Sequence, residues 1–332
     1  MKKRATIEDV AHAAGVSRQT VSRAINDKGE ISPATKERVM QAVQSLGYQP
    51  SQLAQSMVTG RTFTVGLVLS NITNPFFPEI THGVQNAAQA REYNVFLCNT
   101  DDNPVSEMQE LHSLAARGVD GIILFSHQAS DVDLIAFADT YHPIVVINRV
   151  IEHPNVSVMM AKNYHGAQLA ADYFIGQGHT QLGMLINNNP SGSQARRVRG
   201  FRERIQERGL KLPDDRLVPA PASLEGGRLA AHQLLDNHPE TSAIFTYNDL
   251  MALGAIRACG ERGLQIPDDV AIIGFDDISF AAMATPSLSS VHVDKYAIGQ
   301  RAVELLIAMI DAPDINFPLE EVDVELIIRE SA

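Results

Sequence analysis

Residues 6–26 read T-I-E-D-V-A-H-A-A-G-V-S-R-Q-T-V-S-R-A-I-N, which is the pattern of two short helices joined by a glycine turn. Thr6 followed by Asp9 three residues later is the start signal of a capping box, and apolar residues then recur at helical spacing until Gly15. Ser17 opens a second helix as its N-cap. We therefore expect this second helix over residues 18–25.

The second helix has one apolar face and one polar face. At about 100° per residue, five hydrogen-bonding side chains fall on the side opposite the apolar residues, namely Arg18, Gln19, Ser22, Arg23 and Asn26. Arginine reads the two major-groove acceptors of guanine, and glutamine pairs with adenine. On an ordinary short helix such a face is simply solvated. A helix-turn-helix places its second helix in the major groove, and we predict that role for this helix.

A third helix completes a small domain, and the distribution of charge is compatible with DNA binding. Ser32 and Pro33 predict where this helix begins, and Gly47 predicts where it ends. The whole chain carries a net charge of −12, but residues 1–60 hold eight basic and five acidic residues, a net charge of +3. The remainder carries −15. The basic excess therefore lies in the segment that is predicted to bind DNA.

The chain resembles the LacI/GalR family of bacterial transcriptional regulators in the pattern T-I-E-D-V-A-x-x-A-G-V-S-x-x-T-V-S-R-x-I-N, which L-G-Y-x-P follows. The resemblance implies an N-terminal all-α helix-turn-helix domain over residues 1–50, a hinge helix and linker over 51–62, and a two-lobed α/β core over 63–332. The residues that we predict to contact DNA are Thr6, Ser17, Arg18, Gln19, Thr20, Ser22, Arg23, Asn26, Leu53, Ala54 and Met57.

The hinge segment is too short to hold a helix alone in water, because nucleation of an isolated helix is costly. In the family it folds against the same segment of the dimer mate in the minor groove, where an apolar side chain enters between base steps. That side chain is usually leucine, and the matching residue here is Met57. An ordinary linker is the alternative interpretation.

From residue 63 onward, short apolar runs alternate with amphipathic helical patterns. This alternation predicts parallel sheets with right-handed crossovers. By resemblance, the sheets form the two lobes of a periplasmic-binding-protein-like core, and the chain crosses between the lobes near Lys162 and Val291. The predicted strands are 65–69, 95–98, 121–125, 144–147, 182–186, 243–246 and 270–274, and the predicted helices are 76–91, 106–116, 164–176, 195–208, 224–235 and 250–261.

Polar and aromatic side chains follow the predicted strands, where open α/β sheets bind their ligands. Amide, guanidinium and carboxylate groups beside aromatic rings suit a sugar, whose hydroxyl groups need several fixed partners. The family motifs R-x-x-G-F, N-D-x-x-A and G-[FY]-D-[DN] match here at residues 197–201, 248–252 and 274–277. The alternatives are a surface arginine for Arg197 and a helix N-cap for Asp276. The residues that we predict to bind an effector are Phe76, Phe77, Asn148, Arg197, Asn248 and Asp276.

Two departures from the family pattern weaken the transfer of any one relative's ligand. Ala222 stands where many relatives carry an aromatic residue, so one stacking wall is missing. Lys162 stands where aspartate is common.

Composition excludes several other classes of protein. An apolar content of 45% with 20% charged residues is ordinary for a globular chain. There is no secretory signal and no apolar run long enough to span a membrane, so a cytoplasmic protein is expected. Cys98 and Cys259 show no metal-ligand spacing and are expected to be reduced, buried thiols. We predict neither a metal site nor a cofactor.

The sequence thus predicts a homodimeric repressor that reads a palindromic operator and is controlled by a small molecule, a sugar or sugar derivative, between its lobes. One alternative is a sugar-binding protein without a regulatory role, for which an export signal would be expected. The other is a sugar or nucleotide enzyme. No phosphate-binding loop, dinucleotide fingerprint or nucleophile elbow supports the enzyme.

Overall fold

The computed structural model describes residues 5–25, 31–48, 56, 60–125, 128–141, 143–189, 191–315 and 317–332. The chain divides into two compact units, Met1–Thr62 and Phe63–Ala332. The first unit is helical, and the second is an α/β structure with two largely parallel sheets. The predicted fold class is confirmed.

Within residues 5–25 and 31–48, the first unit has three helices around a small core. They are α1 (Ile7–Ala14), α2 (Arg18–Ile25) and α3 (Pro33–Leu46). The capping box at Thr6 is present, and Gly15 ends α1 in the left-handed conformation that glycine adopts without strain. Val10, Val21 and Val39, one from each helix, are fully buried. The apolar periodicity of the sequence therefore points inward in all three helices.

The first lobe of the second unit is built on a six-stranded sheet with the order β11-β5-β4-β3-β1-β2. All its paired strands run parallel. Its elements up to the first crossing are β1 (Thr64–Leu69), α4 (Phe76–Gln89), β2 (Asn94–Asn99), α5 (Pro104–Ala116), β3 (Gly121–Phe125), α6 (Asp131–Thr140), β4 (Ile144–Ile147) and β5 (Val156–Ala161).

The second lobe has a matching sheet with the order β12-β10-β9-β8-β6-β7, in which only the β10–β12 pair is antiparallel. Its elements are α7 (Asn163–Gly176), β6 (Leu182–Asn187), α8 (Gly192–Glu207), β7 (Leu217–Ala220), α9 (Leu224–Asn237), β8 (Ala243–Thr246), α10 (Asp249–Glu261), β9 (Ala271–Asp276) and β10 (Ser289–Val293). Helix α11 (Lys295–Asp311) and strand β11 (Glu320–Val322) then return to the first lobe, and β12 (Val324–Ile327) ends in the second.

Three short connections join the lobes. The first is Lys162, between β5 and α7; the second is Asp294, between β10 and α11; and the third is Asp323, between β11 and β12. Val291 itself lies inside β10, paired with Phe275 and Leu326. Lys162 Nζ donates to Asp323 Oδ1 at 2.5 Å, so the first and third connections are held together by an ion pair.

Helices α4 and α11 of the first lobe pack backbone against backbone through two glycines. A Cβ atom added to Gly83 would lie 2.2 Å from the carbonyl oxygen of Tyr296, and one added to Gly299 would lie 2.2 Å from that of Ile80. No side chain fits at either place. The two helices can approach this closely only because both positions are glycine.

The element predictions were incomplete. The six predicted helices and seven predicted strands are present, and strands β3, β4 and β8 have the predicted ends while the others are shifted by one to three residues. The sequence patterns did not predict helices α6 and α11 or strands β5, β7, β10, β11 and β12. Both cysteines are free thiols as expected, although Cys98 is half-buried rather than buried.

Candidate DNA-reading helix and effector cleft

Helix α2 has the two faces that its sequence predicts. Val21 is fully buried and Ala24 is 2% exposed, whereas Arg18 and Gln19 at the start of the helix are exposed. Ser22 and Arg23, one turn later on the polar side, are half-buried. The helix therefore presents hydrogen-bonding groups on one side and anchors the other side in the core.

The N-termini of α1 and α2 are both fixed by side-chain caps. Ser17 Oγ accepts from the backbone N–H of Thr20 at 3.1 Å, and the two hydroxyl groups lie 2.9 Å apart. Thr6 donates from its backbone N–H and its hydroxyl to Asp9 Oδ2, both at 2.8 Å. Thr6, Ser17 and Thr20 thus hold the helix ends in place. Four further predicted contact residues lie outside the described residues: Asn26, Leu53, Ala54 and Met57.

A cleft of about 400 Å³ lies where the carboxyl ends of both sheets meet, between the lobes of the second unit. All six residues that the sequence predicts as effector contacts line it: Phe76, Phe77, Asn148, Arg197, Asn248 and Asp276. They lie at or beyond the carboxyl ends of strands, where open α/β sheets bind ligands: Asp276 ends β9, and the others lie in the loops and helices that follow strands. Their contact with an effector remains a prediction.

Arg197 is the most constrained polar residue in the cleft wall, and its side chain is only 5% exposed. Its Nε donates to Asn163 Oδ1 at 2.8 Å, its Nη1 donates to the carbonyl oxygen of Tyr247, and its Nη2 donates to Asp276 Oδ1 at 3.4 Å. The guanidinium carbon also lies 3.5 Å from the ring centroid of Phe275. The guanidinium group is therefore held in one orientation before any ligand arrives.

Asp276 is the last residue of β9 and is buried at the cleft floor, so it is not a helix N-cap. It has φ of 106° and the next residue, Asp277, has φ of 50°. Lys295 holds the backbone in this conformation. Its side chain is buried, and its ammonium group donates to the carbonyl oxygens of Asp276 and Asp277 at 2.8 and 2.9 Å. These contacts fix the backbone that carries the Asp276 carboxyl group.

Burial raises the pKa of Asp276 to about 6, and the positive charges of Arg197 and Lys295 oppose that rise. A second carboxyl group lies behind it. Burial and the charge of Asp276 raise the pKa of Asp249 well above its ordinary value, although Asp249 accepts from Ser290 Oγ at 2.6 Å and from the Ile278 N–H at 2.7 Å. The cleft floor therefore holds carboxyl groups that titrate closer to neutrality than exposed ones do.

The first lobe supplies an aromatic wall. Phe76 and Phe77 pack edge to face against each other and against Phe125, with ring centroids 5.4 to 5.6 Å apart. The facing wall in the second lobe has Ala222 in place of a ring at that position, and Tyr247 is an aromatic residue of the second lobe that lines the cleft.

The two cleft asparagines have a structural task in addition to any ligand contact. Asn148, with φ of 62°, accepts the Ala161 N–H through Oδ1 at 3.1 Å. Asn248 caps α10 by accepting the Met251 N–H through Oδ1 at 3.0 Å. Each uses its carbonyl oxygen on the backbone, so the amide NH₂ group is the part suited to a ligand.

A hydrogen bond that the sequence did not predict joins the lobes at the cleft. Gln128, which follows β3, accepts through Oε1 from Asn189 Nδ2 of the second lobe at 2.8 Å. Its Nε2 donates to Asp102 Oδ1 at 3.2 Å, and its backbone N–H donates to the fully buried Glu107 at 2.8 Å. The expectation that ligand-binding residues follow the strands could have identified Gln128, because Gln128 lies just beyond β3.

Two further findings concern the part of the chain that the structure describes. It contains no group of three or more histidine, cysteine, aspartate or glutamate residues placed to hold a metal ion. None of its helices has both the length and the apolar character to cross a membrane.

Comparison with known proteins identifies the family. Residues 6–51 match the family model described as bacterial regulatory proteins, lacI family. Residues 62–328 match the model described as periplasmic binding proteins and sugar binding domain of LacI family. Together the two models cover both units of the chain.

Individual relatives agree with both models. The HTH-type transcriptional repressor PurR of Pasteurella multocida is 34% identical over 328 residues, 98% of each chain. A lac repressor dimer bound to operator and the anti-inducer ONPF is 26% identical, with a TM-score of 0.90 over 99% of each chain. The CelR regulator in complex with cellobiose is 30% identical, with a TM-score of 0.76 over 99% of this chain and 100% of that one.

These relatives are regulators of transcription, which confirms the prediction of a DNA-binding protein and contradicts the alternative of an enzyme. The chain belongs to the LacI family of bacterial regulatory proteins and is a DNA-binding repressor under small-molecule control.

Proposed function

We propose that this protein is a cytoplasmic homodimer that represses transcription by placing α2 in the major groove of each half of a palindromic operator. The observation that carries the proposal is the division of α2 into a buried face and an exposed face that begins with Arg18 and Gln19. The two exposed groups are the side chains that pair with guanine and adenine. The lac repressor relative is itself a dimer bound to an operator.

Exposed apolar surface in the second unit supports the homodimer. Strand β2 is an edge strand of the first sheet, and Phe96 and Leu97 on it are 47% and 43% exposed. In the second lobe, Phe280 and Met283 are also exposed. An edge strand with apolar side chains is a liability unless another chain covers it. We propose that a second copy of the chain covers this apolar surface. Sedimentation equilibrium measures whether the mass in solution is that of a dimer.

We infer that the effector is a neutral sugar or sugar derivative. Arg197 and Asp276 compensate each other's charge, and the remaining cleft groups are mainly amides and hydroxyls, which bind sugar hydroxyl groups from fixed directions. One aromatic wall suffices for the C–H face of a sugar ring. Among relatives, CelR holds cellobiose.

Effector binding is proposed to change the angle between the lobes, because its contacts come from both. The Gln128–Asn189 hydrogen bond joins the lobes at the same cleft and is the contact that a change of angle would alter first. The effector then shifts DNA affinity to the extent that it binds one lobe arrangement better than the other.

Two experiments test the two halves of this proposal. A thermal-shift screen of neutral sugars identifies the effector, and selection from a randomised duplex pool identifies the operator. We expect palindromic sequences to be enriched, and we expect the sugar to change their affinity at fixed salt concentration. Failure to enrich any palindrome, with or without sugars at low ionic strength, would contradict the DNA half. Failure of every neutral sugar to raise the melting temperature would contradict the effector half.

The pKa of Asp276 predicts how effector binding depends on pH. Its pKa of about 6 means that the carboxyl group is protonated in acid, and sugar hydroxyls donate best to the ionised form. Affinity for the effector should therefore be level above pH 6 and fall about tenfold per unit below it. Calorimetric titration across this range measures the effect, with Asp276→Asn as the control that should show no such slope. A slope that persists in Asp276→Asn would assign the proton to another group.

A further inference from the structure

The guanidinium group of Arg18 is paired with a carboxylate from the other helix of the helix-turn-helix. Arg18 Nη1 donates to Glu8 Oε1 at 3.1 Å, and the two side chains are 65% and 70% exposed. Arg18 is the first residue of α2, and the N-terminal residues of such a helix are those that contact base edges. An acidic residue therefore lies within hydrogen-bond distance of a proposed DNA contact.

Stability explains Glu8 only in small part. The capping box of α1 uses Thr6 and Asp9 and leaves Glu8 out. As an exposed acidic residue in the first turn, Glu8 gains a modest interaction with the helix dipole, and that interaction does not need Arg18. An ion pair between two exposed side chains adds little more, because water screens it and ordering both side chains costs entropy. A carboxylate near the DNA surface opposes binding to phosphates, so the pair with Arg18 lowers general DNA affinity for a small gain in the fold.

We propose that Glu8 is a specificity-determining residue that prevents Arg18 from binding phosphate on DNA of any sequence. The inference rests on the proposed placement of α2 in the major groove. Phosphate attracts an unpaired arginine on every sequence, whereas Glu8 competes for the same guanidinium group. The hydrogen bond to Glu8 uses Nη1 of Arg18, so the parallel Nε and Nη2 donors are left for the O6 and N7 acceptors of guanine.

Glu8 therefore weakens non-specific binding more than operator binding. Specificity rises because binding to non-operator DNA is made less favourable. On non-specific DNA, a phosphate that binds Arg18 lies close to the Glu8 carboxylate, and the two negative charges repel each other. At a guanine, Arg18 donates to the base through Nε and Nη2 and keeps its hydrogen bond to Glu8 through Nη1. The ratio of the two affinities, rather than either affinity alone, is the quantity that Glu8 controls.

The test compares the full-length protein with Glu8→Gln on a mixed-sequence duplex and on the operator selected from a random pool. One released arginine per subunit, two in the dimer, should steepen the plot of log affinity against log salt by about 1.8, which at about 0.1 M salt is roughly a sixtyfold gain on the mixed duplex. The gain on the operator should be smaller, so the specificity ratio falls. Glu8→Asp should restore part of the ratio.

Glu37→Gln is the matched control, because it removes the same charge from an exposed position on α3 of the same unit. Equal gains from Glu8→Gln and Glu37→Gln would overturn the inference, since net charge alone would then account for both. So would a loss of operator affinity in Glu8→Gln without any gain on mixed DNA. In an Arg18→Ala background, Glu8→Gln should do no more than Glu37→Gln, which the double-mutant cycle measures.

Arg18→Ala alone separates this inference from the proposed function. If Arg18→Ala leaves operator affinity and base preference unchanged, the placement of α2 is wrong. If Arg18→Ala weakens operator binding while Glu8→Gln matches Glu37→Gln, only the role of Glu8 is wrong.

Discussion

Replacing Arg197 by alanine is expected to abolish the response of operator binding to the effector while leaving operator affinity without effector unchanged. Arg197 holds Asn163, the Tyr247 carbonyl group and Asp276, so its removal deletes a predicted effector contact and leaves the buried carboxyl group without its partner. The loss of a hydrogen bond to a charged group costs about 1.5 to 3 kcal/mol, which is more than tenfold in effector affinity. Breaking a buried ion pair also destabilises the fold by about 3 to 5 kcal/mol, so folding must be checked.

The measurement is operator binding at increasing effector concentration, with circular dichroism as the check on folding. Arg199→Ala is the matched control, because Arg199 lies on the same helix but is 70% exposed and pairs with Glu203. Should Arg197→Ala destabilise the core, Arg197→Lys tests the same role, since it keeps the charge and removes the planar set of donors. A response of either Arg197 variant at the wild-type effector concentration would rule out the proposed contact.

Replacing Arg23 by alanine is expected to weaken operator binding by about 1 to 3 kcal/mol and to relax the preference for one base pair in each half-site. Arg23 lies in the last turn of α2, on the polar side that faces away from buried Val21 and Ala24. Removing a hydrogen bond to a base changes which sequences bind, whereas removing one to a phosphate weakens binding to all sequences alike.

The measurement is a repeated selection from the random pool with each variant. Arg38→Ala removes the same charge from an exposed position on α3, and we expect it to leave the selected sequence unchanged. Selection of the wild-type operator by Arg23→Ala, with undiminished affinity, would show that Arg23 does not read a base.

The helical unit could be predicted closely because its signals are local. Thr6, Gly15, Ser17 and Gly47 are caps that act within a few residues, and the structure shows each of them at a helix end. The cleft residues could also be predicted, because they follow parallel strands whose carboxyl ends lie on one edge of a sheet.

The elements that the sequence patterns did not predict have physical causes. Helix α11 is an exception, because its buried residues Ile298, Ala302, Leu305 and Met309 recur at helical spacing and the signal for it was present in the sequence. Strand β7 contains Pro219, which argues against a strand but is tolerated because β7 lies at the sheet edge. Strands β11 and β12 are three and four residues long, at or below the length at which alternation is visible.

The charged groups beneath the cleft could not be found from local sequence. Lys295 reaches Asp276 and Asp277 only because α11 begins where the chain leaves the second lobe. The Gln128–Asn189 hydrogen bond likewise joins residues 61 positions apart. Both depend on how distant segments of the chain come together, which periodicity and capping signals do not describe.

The glycine contacts between α4 and α11 have a consequence for effector control. Helix α4 begins with Phe76 and Phe77 at the cleft, and α11 begins immediately after the second connection between the lobes. Since Gly83 and Gly299 leave no gap between the two backbones, these helices translate and rotate together as a single rigid element. Any displacement of the lobes that an effector causes must then occur by backbone rotation at Lys162, Asp294 and Asp323. Substitutions of cleft side chains can therefore change which effector binds without altering the connections about which the lobes rotate.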